Sequence, residues 1–292
     1  MDGVFPFLKP PGITSHDAVG ICRRILKERR IGHSGTLDPL AYGVLPIFVG
    51  KATRIIEYTE SASKTYVAEC RFGYGTDTED STGTPLMAEI IPSHIPTWSQ
   101  LEQVLIGFVG EQLQQPSIYS AIKINGRRAY ELAREGIEFT LPSRTITISE
   151  CQLLAYSYPY FTIRVSCSAG TYIRALLRDI TTRLGIPGTM TQLVRTAVGP
   201  YSIEQAITAE ELTVKGAACI YPTESALSHM PTVTVSAEGR LALKQGKQWP
   251  YEAIPHFKGI VRQLYCAYSD EGFFGVLEGT NDTLKVAKNI FL

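Results

Sequence analysis

Apolar and polar positions alternate along residues 64–72, KTYVAECRF. They alternate again along 161–167, where Phe161, Ile163, Val165 and Cys167 take one face and Thr162, Arg164 and Ser166 the other. A period of two is that of a half-buried strand, so both segments predict strands, with another at 144–148. Three stretches carry the helical period instead. Ala18, Val19, Cys22, Ile25 and Leu26 form one stripe of a helix over 16–30, capped by Thr14 or Ser15. Leu101, Val104, Leu105 and Phe108 mark a second helix at 99–109. Ile173, Leu176, Leu177, Ile180 and Leu184 form the core side of a third, after the break at Ala169-Gly170-Thr171.

Between these elements the pattern lapses. Lys9-Pro10-Pro11-Gly12 reads as a rigid extended lead-in, and GTDTEDSTG at 75–83 as an acidic polar loop. YPTESALSHMPT, 221–232, reads as a linker. The segments VTVSAEGRLALKQGKQW, IVRQLYCAYSD, FFGVLEG and LKVAKNIF follow it, divided by Gly and Asp turns, and predict a small β-rich domain. Residues 32–54 differ from all of these. Gly32, Gly35, Gly43, Gly50, Pro39 and Pro46 crowd a short apolar span around one carboxylate, Asp38. Glycine and proline at this density fix backbone geometry rather than fill a core. Asp before Pro is ordinary turn chemistry, but a carboxylate on such a turn beside Leu37, Leu40 and Val44 is also presented as a catalytic group would be.

Composition changes the picture only in places. A chain of 292 residues with 44% hydrophobic content can build one large domain or two unequal ones. Lys and Arg number 28 against 28 Asp and Glu, so bulk charge does not point to nucleic acid. The distribution is less even: residues 161–200 hold five arginines and one acid, Asp179, while 69–111 hold one base, Arg71, and seven acids. That allows a basic face, or a solvated helix face. Residues 116–136 mix Lys123, Arg127, Arg128 and Arg134 with Tyr119 and Tyr130, which suits either RNA contact or an exposed loop and helix. Six cysteines without a CxxC pair read as reduced thiols, and five histidines show no zinc spacing with them. No signal-peptide pattern opens the chain and no stretch is long enough to span a membrane, so the expectation is a cytoplasmic protein without metal.

The Asp38 stretch resembles the central motif of the bacterial tRNA pseudouridine-55 synthases, the TruB family. It reads Gly32-His33, Gly35-Thr36-Leu37-Asp38-Pro39, Ala41, Gly43-Val44-Leu45-Pro46 and Gly50-Lys51-Ala52-Thr53-Arg54. The resemblance extends over most of the chain. Lys9-Pro10, Gly12 and Thr14-Ser15 look like the family's opening, and Lys64, Tyr66, Gly73, Thr76-Asp77-Thr78, Asp80 and Gly83 like its second block. Gln115-Pro116, Tyr119-Ser120-Ala121, Lys123, Gly126 and Ala129-Tyr130 look like its RNA-gripping thumb, although Ser117 stands where the family usually has a second proline. Cys167-Ser168, Gly170-Thr171-Tyr172-Ile173-Arg174 resemble the motif carrying its active-site Tyr and Arg, and Leu193, Arg195-Thr196 and Gly199 its next block.

The resemblance implies an α/β (α+β) fold: a mixed, largely antiparallel sheet flanked by helices, plus a small β-barrel-like PUA domain. Residues 1–222 would form the catalytic unit, with a thumb at 115–140, and 232–292 the RNA-binding unit. It implies isomerisation of uridine 55 in the TΨC loop of tRNA by base flipping, with no cofactor. Asp38 would be the catalytic carboxylate, paired with Arg174, and Tyr66 would stack on the uracil and assist proton transfer. Tyr172 and Leu193 would line the pocket, and His33 would support the RNA loop. Lys9, Lys123, Arg127, Arg128 and Arg195 are candidates for RNA contact. The partner would be the T-arm stem-loop, with no obligatory protein partner and a monomeric enzyme. Two other readings stay open: the catalytic subunit of a guide-RNA complex, which usually carries charged terminal extensions that this chain lacks, and an RNA-folding chaperone.

Overall fold

The computed structural model describes residues 1–289; Ile290 and Phe291, part of the expected segment LKVAKNIF, lie outside the described residues. The chain runs β1 (Gly3–Lys9), α1 (Ser15–Leu26), β2 (Ile31–His33), β3 (Tyr42–Val49), β4 (Lys64–Phe72), α2 (Trp98–Ile106) and β5 (Gly110–Gln114). A hairpin of β6 (Lys123–Ile124) and β7 (Arg127–Arg128) then leads into α3 (Ala129–Arg134). Next come β8 (Arg144–Ser157), β9 (Tyr160–Cys167), α4 (Ile173–Arg183), β10 (Gly188–Val198), β11 (Tyr201–Ser202) and α5 (Ala209–Lys215). The C-terminal part holds β12 (Thr232–Thr234), α6 (Ala237–Lys244), β13 (Trp249–Pro250), β14 (Leu264–Ser269), β15 (Gly272–Gly279) and β16 (Thr283–Asn289).

One nine-stranded sheet follows the order β1-β3-β10-β4-β9-β8-β5, with β2 beside β3 and β11 beside β10. Only β3 and β10 pair in parallel; the other neighbours are antiparallel. β3 and β10 sit inside the sheet, and the run VLPIFV in β3 is buried on both faces. A strand covered on both faces loses alternation, which is why periodicity marked β4 and β9 but not β3. β8 continues nine residues past the expected 144–148, because register shifts at Ile148/Glu150 and Leu153/Ala155 break its period of two. α1 stops at Leu26, not 30, because Lys27 turns left-handed with φ 53°. Its start is the expected one: the Thr14 hydroxyl accepts from the Asp17 N–H, and the Asp17 carboxylate accepts from the Thr14 N–H in return.

α2 and α4 cover one face of the sheet, burying Leu101, Leu105, Leu176, Leu177 and Ile180 against Ala68, Cys70, Ile163 and Val165. α1 and α5 pack near β1 and β3 through Ala18, Val19, Cys22 and Leu212. The C-terminal strands form a second sheet, β12-β14-β15-β16-β13. The stretch 221–232 is more than a tether. A 3-10 turn at Thr223–Leu227 buries Ala226 and Leu227 among Phe48, Ile55, Cys266 and Val276, so it fastens the second sheet to the first.

Candidate active site

Asp38 lies on the turn between β2 and β3, and almost every carbonyl around it is tied down. The first turn of α1 places Ser15, whose hydroxyl accepts from the Leu37 N–H at 2.8 Å and donates to the Leu37 carbonyl at 3.1 Å. Gly12 N–H donates to the Pro39 carbonyl and Ala41 N–H to the Asp38 carbonyl. Beneath the turn, Lys9 Nζ donates to the carbonyls of Pro10 and Ala41, each at 2.8 Å. Arg195 Nε donates to the Val44 carbonyl at 2.8 Å and its Nη2 to the Gly35 carbonyl at 2.9 Å. Arg195 can lie there because β10 runs hard against β3: a Cβ on Gly43 (φ +120°) would stand 2.2 Å from the Arg195 carbonyl oxygen. Only glycine permits that approach.

Above the turn, Arg174 from the first turn of α4 places its Nε 3.0 Å from Asp38 Oδ2. The guanidinium is 6% exposed, whereas the Asp38 side chain is 38% exposed. The remaining Arg174 donors are spent inside the protein: Nη1 on the Thr78 carbonyl at 2.8 Å and the Ser117 hydroxyl at 3.3 Å, Nη2 on the Tyr119 carbonyl at 2.9 Å. Asp80 Oδ2 stands 3.8 Å from the same Nε. Its other oxygen accepts from Thr82 N–H and from the Thr78 hydroxyl. One buried cation thus holds the exposed carboxylate and also the base of the 115–143 segment. A planar guanidinium whose other nitrogens are anchored in this way fixes the direction of the carboxylate it faces. One α4 turn later, Arg178 pairs with Glu79 at 2.6 Å and donates to the Gln115 carbonyl.

Tyr66 and Arg195 are cross-strand partners in the β4–β10 ladder. Burial raises the Tyr66 phenol, with the neighbouring Arg195 guanidinium opposing it. Tyr66, Leu193 and Leu37 belong to one buried cluster, which also takes in Leu40. Tyr172 precedes α4 and is gripped by buried Gln114, which accepts from its N–H at 2.8 Å and donates to its carbonyl at 3.0 Å. Burial lowers the His33 imidazole, helped by the charge of Arg195, and its Nδ1 is buried without a partner. The neutral ring is therefore favoured. Among the described residues no set of three His, Cys, Asp or Glu side chains gathers as metal ligands, and no helix is long and apolar enough to cross a membrane.

Two of the expected RNA contacts need correction. Lys9 and Arg195 are both 0% exposed, with their N–H groups directed at backbone carbonyls of the Asp38 turn. They build the turn and present no exposed N–H to a ligand. Lys123, Arg127 and Arg128 are exposed on the β6–β7 hairpin, where Asn125 and Gly126 make the turn with φ 49° and 86°. Arg127 pairs with Glu135 there. Sequence reasoning gave no role to Gln114, Glu79 or Arg144. Gln114 carries no signal in a short polar strand; Glu79 showed only as one acid in an acidic loop.

The chain's relationships agree with this arrangement. Residues 23–173 match the TruB family pseudouridylate synthase N-terminal domain, and residues 174–229 the tRNA pseudouridylate synthase B C-terminal domain. A tRNA pseudouridine synthase B of Halalkalibacterium halodurans is 38% identical over 282 residues, spanning 93% of this chain and 90% of its own. One from Symbiobacterium thermophilum is 44% identical over 247 residues, 84% of this chain and 81% of its own. A solved H/ACA RNP bound to a substrate RNA containing 2′-deoxyuridine contains a chain that superposes with a TM-score of 0.77 at 25% identity, covering 99% of this chain and 85% of that one. The fold is that of the pseudouridine synthases, with a PUA-like C-terminal sheet. With an Asp38 turn of this construction and relatives of this extent, the chain belongs to the TruB family of pseudouridylate synthases.

Proposed function

We propose that this chain isomerises uridine 55 in the T-loop of tRNA to pseudouridine, with Asp38 as the catalytic carboxylate. The observation that carries the proposal is the Asp38–Arg174 pair: a partly exposed carboxylate 3.0 Å from a buried guanidinium, on a turn whose carbonyls are fixed. The bond between the ribose anomeric carbon and uracil N1 breaks, the ring turns, and C5 bonds to the same carbon. C5 loses its proton and N1 gains one, so atoms and electrons balance without a cofactor. Asp38 acts at the target nucleoside, as nucleophile or as base at the sugar. Arg174 pairs with it and keeps it aimed. Tyr66 stacks on the uracil, Tyr172 and Leu193 line its pocket, and His33 supports the loop from which it is extruded. The catalytic unit is 1–222; the PUA-like unit, 232–292, grips RNA, as does the hairpin bearing Lys123, Arg127 and Arg128.

The relatives named for tRNA support this substrate. The purified chain alone is expected to release tritium from a T-arm stem-loop labelled at C5 of its uridines. It should release none when the target uridine is replaced by cytidine, and Asp38→Ala should release none from either RNA. No release by the chain alone, with RNA binding intact, would favour the reading in which it works as one subunit of a guide-RNA complex.

A further inference from the structure

The root of the 115–143 segment carries a charge that the catalytic arrangement leaves unused. Arg144 opens β8, opposite Gln114 of β5 in the sheet register. Gln114 is the residue that grips both backbone groups of Tyr172. The Arg144 guanidinium lies over the Tyr172 ring, 5.4 Å from its centroid. Room for it is made by Gly170, whose φ is +83° and where a Cβ would come within 3.2 Å of Arg144 Nη1. Yet among the described residues no carboxylate pairs with this arginine. Its Nε is buried and has no hydrogen-bond partner.

A guanidinium in that position is costly unless something completes it. A buried N–H without an acceptor loses its water and gains nothing in return. The buried Arg174 and Arg195 have carboxylate or carbonyl partners. Arg144 instead lies over an aromatic ring, with its N–H groups left to donate. Stacking keeps the charge in place without satisfying a single N–H. An oxyanion with two oxygens in one plane would satisfy the fork.

We propose that Arg144 receives a backbone phosphate of the bound RNA, next to the nucleotide placed against Tyr172. This rests on the RNA-modifying reading above and adds a phosphate site to it. The hairpin cations would hold the RNA at a distance from Asp38, whereas this contact would fix the strand at the pocket itself. Gln114 serves both ends: it fixes Tyr172 and sits across the ladder from Arg144.

The test is the salt dependence of T-arm stem-loop binding, read by fluorescence anisotropy for wild type, Arg144→Gln and Arg144→Lys. Arg144→Gln should weaken binding about tenfold at low salt and flatten the plot of log affinity against log salt by about one counterion. Arg144→Lys should keep the slope and lose part of the affinity, because an ammonium cannot form the fork. Single methylphosphonates walked through the loop should reveal one position whose neutralisation weakens wild type but not Arg144→Gln. Unchanged affinity and slope in Arg144→Gln would overturn the assignment. So would a loss of affinity at unchanged slope, which would mean that Arg144 only packs against Tyr172. Failure of the wild-type chain to bind the stem-loop would sink the RNA reading itself, and that outcome is distinct from the other two.

Discussion

The floor beneath Asp38 and the β6–β7 hairpin use the same residue types for opposite ends. Lys9 and Arg195 in the floor are wholly buried and donate to backbone carbonyls. Lys123, Arg127 and Arg128 on the hairpin are exposed. A buried cation repays its desolvation only when its donors are matched, and once matched it is not available to a ligand. An exposed cation costs little and holds little structure, so it can take a phosphate. Motif position alone does not separate the two; burial does. Arg174 stands between them, buried like the floor cations but facing a carboxylate that solvent can reach.

Four variants probe that contrast. Asp38→Asn removes the carboxylate that the floor presents and should lower turnover by about 10³-fold or more. Its RNA affinity and melting temperature should stay close to wild type, and a single-turnover assay with a melt checks all three. Arg195→Met should cost about 3–5 kcal/mol of stability, because the carbonyls of Gly35, Thr36 and Val44 are left buried without their donor; denaturant unfolding measures it. Arg127→Gln combined with Arg128→Gln should leave the denaturation midpoint almost unmoved while weakening RNA binding about tenfold. A double variant that melts early would place the hairpin with the floor. The last test is a pH dependence at Lys9. Burial lowers its ammonium from 10.5 to about 8, against the attraction of Asp38. Between pH 8 and 10.5 the unfolded chain then binds more protons at this site than the folded one, so this residue's contribution to stability rises with pH. Wild type should therefore gain stability relative to Lys9→Met across that window. A constant difference would contradict the shift.

Much of this was legible in the sequence, and the exceptions have physical causes. The Asp38 turn could be read because glycine and proline report backbone geometry directly. β4, β9 and α4 could be read because each has one wet face and one dry face. β3, dry on both, left no period to find, and register shifts at Met190/Gln192 and Arg195/Ala197 interrupt that of β10. The pairing of Arg174 with Asp38 came from resemblance, since no spacing rule joins residues so far apart in the chain. Lys9 and Arg195 were misplaced because a cation within an RNA-binding motif suggests phosphate, and nothing local shows that it points inward. Residues 221–232 look like a linker by composition, yet Ala226 and Leu227 are enough to seat them in a core. Arg144 gave no signal at all; its significance lies in the absence of a partner, which only the folded chain reveals.

The most direct test of the contrast is a salt titration of T-arm stem-loop binding by wild type, Lys9→Met and the Arg127→Gln/Arg128→Gln double variant. The account predicts that the double variant flattens the dependence of log affinity on log salt by about two counterions. Lys9→Met should leave that slope unchanged. A slope flattened equally by Lys9→Met would mean that the buried lysine reaches a phosphate, and the division between structural and RNA-binding cations would be wrong.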